Sequence, residues 1–279
     1  MATPLGDFIR AKRDGTAPES LGLPGRERTR APGLRRSDLA GRSGISVEYL
    51  TRIEQGRDRN PSTAVLNSLG DGLSLNPAER EHLRYLAKIT GGACAGHQQP
   101  EPPGRVVRPT VLQTLHLLEP AVAIVTNRLG DVLAHTSGFD LLVRESGLLG
   151  DDEPNLTRYL FTDPRARTLF LDWDQVADEQ TFHLWLGPSV EAAEWFKTEL
   201  APHAGPEFTR RLGQHIPPPT TPLRIKHPIA GELRWQRETL TLIATDAQQI
   251  VIFLPDDGPT AQAMSRLQAD TRPSLRAVN

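Results

Sequence analysis

The sequence predicts a multidomain protein of class α and α+β: an N-terminal all-α domain of five helices, followed by a C-terminal antiparallel sheet with helices. Three observations carry that expectation. Apolar residues recur at helical spacing up to about residue 90, a stretch rich in Gly, Pro and Gln follows, and short β-rich runs appear only after Pro120. At 279 residues the chain is long enough for two domains that each bury a core.

Charge separates the same halves. The formal net charge is −2, yet residues 1–97 hold 15 Lys and Arg against 11 Asp and Glu. Within Arg26–Arg59 there are nine basic residues and five acidic ones, a local patch suited to phosphates. No apolar run approaches 18 residues and no signal-peptide core opens the chain, so a cytoplasmic protein without a membrane partner is expected. The single Cys94 excludes an internal disulfide and a cysteine-based zinc site, and reads as a free thiol in a loop.

In chain order, Pro4–Asp14 reads as a short amphipathic helix with Leu5, Phe8 and Ile9 inward. Thr16–Gly33 is too rich in Pro and Gly to be one regular element. Arg36–Arg42 then forms a short helix, Ser43-Gly44-Ile45 a three-residue turn, and Ser46–Gly56 a capped second helix. Together they make a helix-turn-helix over about 36–56, whose second helix is the one that enters a DNA major groove. At 100° per residue, Val47, Glu48, Thr51 and Arg52 share its outward face, while Leu50 and Ile53 point inward. Ser62 caps a fourth helix, which Gly70 and Gly72 are expected to shorten or fray. Asn76-Pro77-Ala78-Glu79 starts a fifth with a capping box.

The expected map is a DNA-binding domain at 1–90, a linker at 91–109, a second domain at 110–270 and a tail at 271–279. After a helix ending near Pro120, Ala121–Val125 and Asp131–Ala134 read as strands. Phe139–Val143 is helical, one longer helix runs from Asp163-Pro164 past Ala177, and Ser189 opens another. Four short β-rich runs follow: Leu223–His227, Gly231–Trp235, Leu240–Ile243 and Ile250–Leu254. Two strands, a helical block and three or four more strands is a PAS-like order. Ala263 and Leu267 suggest a last helix.

Leu34–Leu69 resembles the XRE (Cro/C1-type) helix-turn-helix, through Asp38-Leu39-Ala40, Ser43-Gly44-Ile45-Ser46, Tyr49-Leu50 and Ile53-Glu54-Gln55-Gly56-Arg57. Leu21–Gly25, Arg28–Arg36 and the run through Arg59 resemble the variant found in MmyB-like transcription regulators of actinobacteria. The second half is similar to their ligand-binding domain at Pro120-Ala121, Asp131–Ala134, Asn155-Leu156, Leu160–Pro164, Asp172-Trp173, Glu207-Phe208, His227-Pro228 and Gly231. Thr136 and Leu212 depart from that family, which often has Asn and Trp there.

The resemblance implies a regulator that acts as a homodimer on a double-stranded DNA operator and senses a small, apolar ligand, such as a bound fatty acid. It assigns Arg36 to phosphate contact or to bracing the recognition helix. Ser46, Val47, Glu48, Thr51 and Arg52 form the reading face, with Arg57 and Arg59 on phosphates. Glu48 has two readings, an acceptor for cytosine N4 or a helix N-terminal acid stabilised by the dipole. Trp173 belongs to an aromatic block that either packs a core or lines a pocket. Tyr159, Arg165 and His227 are the ligand-anchor candidates; the alternative has Arg165 facing water and His227 shaping the turn at Pro228. A rival reading makes residues 110–279 a ligand-free dimerisation or protein-interaction module. No nucleophile, phosphate-cradling loop or metal-ligand spacing appears, and His203, His215 and His227, twelve apart, match no helix face. Neither a catalytic residue nor a metal ligand is expected.

Overall fold

The structure is a computed structural model that describes residues 3–23, 33–91, 104–185, 193–218, 221–242 and 248–270. Cys94, Ser189, Ile243 and the expected tail lie outside these residues. The chain divides into two units, the first holding the N-terminal helices and the later stretch Thr209–Pro217, the second the remaining described residues from 104 onward.

In the first unit, Thr3 caps helix α1 (Pro4–Gly15), followed by α2 (Arg36–Ser43), α3 (Val47–Glu54), α4 (Thr63–Gly72) and α5 (Pro77–Thr90). Part of the insert after α1 is a short 3-10 turn, Pro18–Leu21. Leu5, Phe8, Ile9, Leu39, Leu50, Ile53, Leu69 and Leu86 form one core. The expected fraying of α4 does not occur. A side chain at Gly72 would collide with Ser43 of α2 and one at Gly70 would press on Arg80, so the two glycines let neighbours approach closely. Asn76 and Glu79 form the reciprocal cap expected of α5, each at 2.9 Å.

The second unit begins with α6 (Pro109–Leu117), β1 (Val122–Thr126), β2 (Val132–His135) and α7 (Ser137–Val143). The helical block is α8 (Leu156–Thr162), α9 (Ala166–Leu169), α10 (Trp173–His183) and α11 (Glu194–Leu212), the last broken at Gly205 and belonging to this unit as far as Phe208. β3 (Leu223–His227), β4 (Gly231–Thr241), β5 (Gln249–Pro255) and α12 (Gly258–Asp270) complete it. All pairs are antiparallel in the order β2-β1-β5-β4-β3, a PAS-like sheet with helices. Val122 and Ile124 face a core built with the helical block. Ala123 and Val125 face Val111 and Leu115 of α6, which explains why every residue of β1 is buried.

Two expectations change. Gly231–Trp235 and Leu240 onward are one eleven-residue strand, not two. Between them Gln236–Thr239 offers no Gly or Pro to turn on, and pairing with β5 runs unbroken from Trp235 to Thr241. The single long helix after Asp163 is two, because Phe170 is extended and pairs with Ile225. Leu171 N–H donates to the Arg224 carbonyl at 3.0 Å, so the edge of β3 takes the two residues that would have continued the helix.

Candidate functional site

The first candidate surface is the outward face of α3. Ser46 caps it, accepting from Tyr49 N–H at 3.0 Å, and Gly56 in the left-handed region (φ 68°) turns the chain away beyond it. Leu50 and Ile53 are fully buried, which turns Val47, Glu48 and Arg52 to solvent; Val47 is 44 % exposed. Thr51 is half-buried and its hydroxyl donates to the Val47 carbonyl at 2.7 Å, leaving oxygen lone pairs as acceptors. Arg52 reaches toward Asp58 at 3.8 Å with a side chain 60 % exposed. Arg57 and Arg59 are exposed in the loop that follows. Glu48 and Arg52 stand one turn apart, an acceptor suited to cytosine N4 beside a donor fork suited to guanine O6 and N7.

Arg36 serves this face from behind. Its Nε donates to Glu54 Oε2 at 2.6 Å, and Arg13 Nε donates to Glu54 Oε1 at 2.8 Å. Glu54 is fully buried at the C-terminal end of α3, and Arg10 donates to its carbonyl at 2.9 Å. Gly6 closes the contact, since a side chain there would lie 2.6 Å from the Glu54 carbonyl oxygen. Three arginines from α1 and α2 therefore fix where α3 ends. The sequence reading did not include Glu54 in this role. The available signal was its place on the same helical face as Leu50 and Ile53, where a carboxylate requires a buried cationic partner.

In the second unit the four ligand candidates do not converge. Tyr159 is buried and donates to the Ser146 carbonyl at 3.0 Å; burial raises its phenol pKa above the ordinary value. Arg165 is exposed and pairs with Asp163, holding that carboxyl below the usual range. Trp173 donates from Nε1 to the Leu160 carbonyl at 3.1 Å, with the Arg167 guanidinium 3.5 Å above its ring. His227 is buried, with Nε2 at 3.1 Å from the Leu141 carbonyl and Nδ1 accepting from the N–H groups of Ile229 and Ala230. Those partners define the Nε2–H tautomer and tie the β3–β4 turn to α7. Thr136 is fully buried and joins β1 to the start of α7 through the Ala123 carbonyl and Phe139 N–H. Leu212 is the half-buried last residue of α11.

Of the four, Trp173 lines a groove of about 270 Å³ with Phe161, Arg167 and Glu207. A larger half-open cleft of about 570 Å³ has none of them. Its floor is Leu129 and Phe196, its open edge Trp195, and its rim Arg105, Arg158 and the Asp151–Glu153 run. Asp131 and Asn155 form the inner wall, joined by a 2.8 Å bond from Asn155 Nδ2. Nothing in the local sequence pattern brings residues 105, 131, 155 and 195 together. Among the described residues there is no cluster of three metal-ligating side chains, and no helix is long and apolar enough to cross a membrane.

Comparison with known proteins accounts for most of the chain. A helix-turn-helix domain model matches residues 5–83, and the MmyB-like transcription regulator ligand binding domain model matches residues 107–267. No curated protein matches the chain.

Proposed function

The chain belongs to the family of the MmyB-like transcription regulator ligand binding domain, with a helix-turn-helix domain ahead of it, and from that premise we propose how it works as a DNA-binding regulator. A headpiece of residues 1–90 reads the major groove through α3, and a linker at 91–109 joins it to a domain of residues 110–270. That domain binds a small molecule with a substantial apolar part and holds two copies together, with 271–279 as a tail. The protein acts in the cytoplasm and catalyses nothing. One headpiece offers a small interface, so a homodimer on two half-sites supplies the specificity. The ligand favours one arrangement of the pair over another, which alters operator affinity.

The observation that carries this reading is the outward face of α3, where Val47, Glu48 and Arg52 are exposed on a helix fixed from behind. Val47, Glu48, Thr51 and Arg52 meet base edges; Arg57 and Arg59 meet phosphates; Arg36 braces the helix through Glu54, and Ser46 holds the N-terminal turn in shape. Selection of bound sequences from a random DNA pool, followed by titration, tests it. Arg52→Ala should weaken the selected site by roughly 1–3 kcal/mol and relax one base position. Arg57→Ala should weaken all sequences alike and lower the salt slope by about one. Unchanged affinity and sequence preference in Arg52→Ala would remove the base contact.

A further inference from the structure

We propose that the 570 Å³ cleft of the second unit binds an organic cation with an apolar body, which lies against Trp195 with its charge toward Asp151 and Asp152. The inference rests on the reading that this unit binds a small molecule, and it names the chemical class. The volume lies in the range of small-molecule sites, and the cleft is half-open. Leu129 and Phe196, each only 2 % exposed, close the base of the cleft, whereas Trp195, 48 % exposed, supplies its accessible apolar surface. A large aromatic left beside a ligand-sized space can take an apolar chain or a quaternary ammonium on its face.

Charge decides between a cationic and an anionic head. Arg105 lies 3.0 Å from Asp131 and 3.7 Å from Glu153. Arg158 holds both oxygens of Glu199, at 2.8 and 2.9 Å. Among the described residues, both arginines that line the cleft are thus already paired, with three carboxylates between them. Asp151 and Asp152 on the rim add two further negative charges and are exposed. A carboxylate ligand would reach only the donors that Arg105 leaves over and would enter a field with more negative than positive charge. A cation enters it favourably and shares Asp151 with Arg158 and Arg165.

Three probes with the same phenylalkyl body and different heads separate the possibilities: phenylbutyl trimethylammonium, phenylvalerate and phenylpentanol. With the full chain, the ammonium probe should raise the melting temperature and alter tryptophan emission, and the other two should do neither. Trp195→Ala should weaken its binding about fivefold through loss of the ring face. Asp151→Asn with Asp152→Asn should weaken it roughly fivefold in low salt, and less as salt rises. The three positions are exposed, so the unliganded variants should melt with the wild type. Phenylvalerate binding as tightly as the ammonium probe would overturn the cationic assignment while leaving the small-molecule reading intact. Ammonium binding indifferent to all three substitutions would overturn the cleft as its site. No binding of any probe, with no small molecule carried through purification in native mass spectrometry, would overturn both.

Discussion

The candidate residues of the two units meet opposite fates. On α3, Val47, Glu48 and Arg52 are exposed, and the groups that support them, Arg13, Arg36 and Glu54, sit behind. In the second unit Tyr159, Trp173 and His227 are buried with their polar atoms bonded to backbone, and the large cleft opens elsewhere. The contrast has a simple origin. A reading surface is one face of one helix, so residue spacing decides which side chains project from it. A pocket is assembled from distant segments, and a donor beside a hydrophobic run is as readily consumed by its own fold.

The comparison is sharpest at Glu54. Glu54→Ala removes the buried carboxylate that Arg13 and Arg36 share, and leaves Arg13 with Asp14 and the Leu34 carbonyl. It should destabilise the first unit by about 3 kcal/mol, measured by urea unfolding. Operator binding should fall with it even though Glu54 is fully buried. A stable Glu54→Ala protein with full affinity would break the claim that α3 is positioned from behind.

An acid titration reports on the same unit. Burial, and secondarily the Lys12 charge, push His82 down to about 3 from its ordinary 6.5. Phe8 packs edge-on against its ring at 5.2 Å, and His215 of the same unit lies 3.3 Å from its Nε2. The folded state keeps His82 neutral while the unfolded chain protonates it below 6.5. This contribution is therefore present above pH 6.5 and is lost as pH falls toward 3, by an amount on the order of 4 kcal/mol. His82→Gln should flatten that part of the stability–pH curve, and an unchanged slope would show that the group titrates normally.

His227 tests the other side of the comparison. His227→Ala strands the N–H groups of Ile229 and Ala230 and the Leu141 carbonyl, and should cost the second unit roughly 2–3 kcal/mol in thermal or chemical unfolding. A variant that keeps its stability and loses only ligand binding would return His227 to the anchor role. The smallest effect belongs to the cap of α5. Asn76→Ala removes the acceptor at Glu79 N–H and should lower stability by about 1 kcal/mol with operator affinity unchanged.

By itself the sequence determined what depends on neighbours along the chain. Ser46 and Asn76 mark helix starts, helical spacing selects the outward face of α3, and the order of strands and helices anticipates a PAS-like sheet. Local rules suffice there because the hydrogen bonds and side-chain directions involved span three or four residues. Tertiary structure decided the rest. The edge of β3 captured Phe170 and Leu171 and split a helix, and β5 held β4 together as one strand. Close approach to Ser43 and Leu39 turned Gly72 from a helix weakness into a packing requirement. Glu54 is bound by arginines 18 and 41 residues away, and the cleft joins Arg105 to Trp195. Such pairings are selected by where the chain packs against itself, and no local period encodes them.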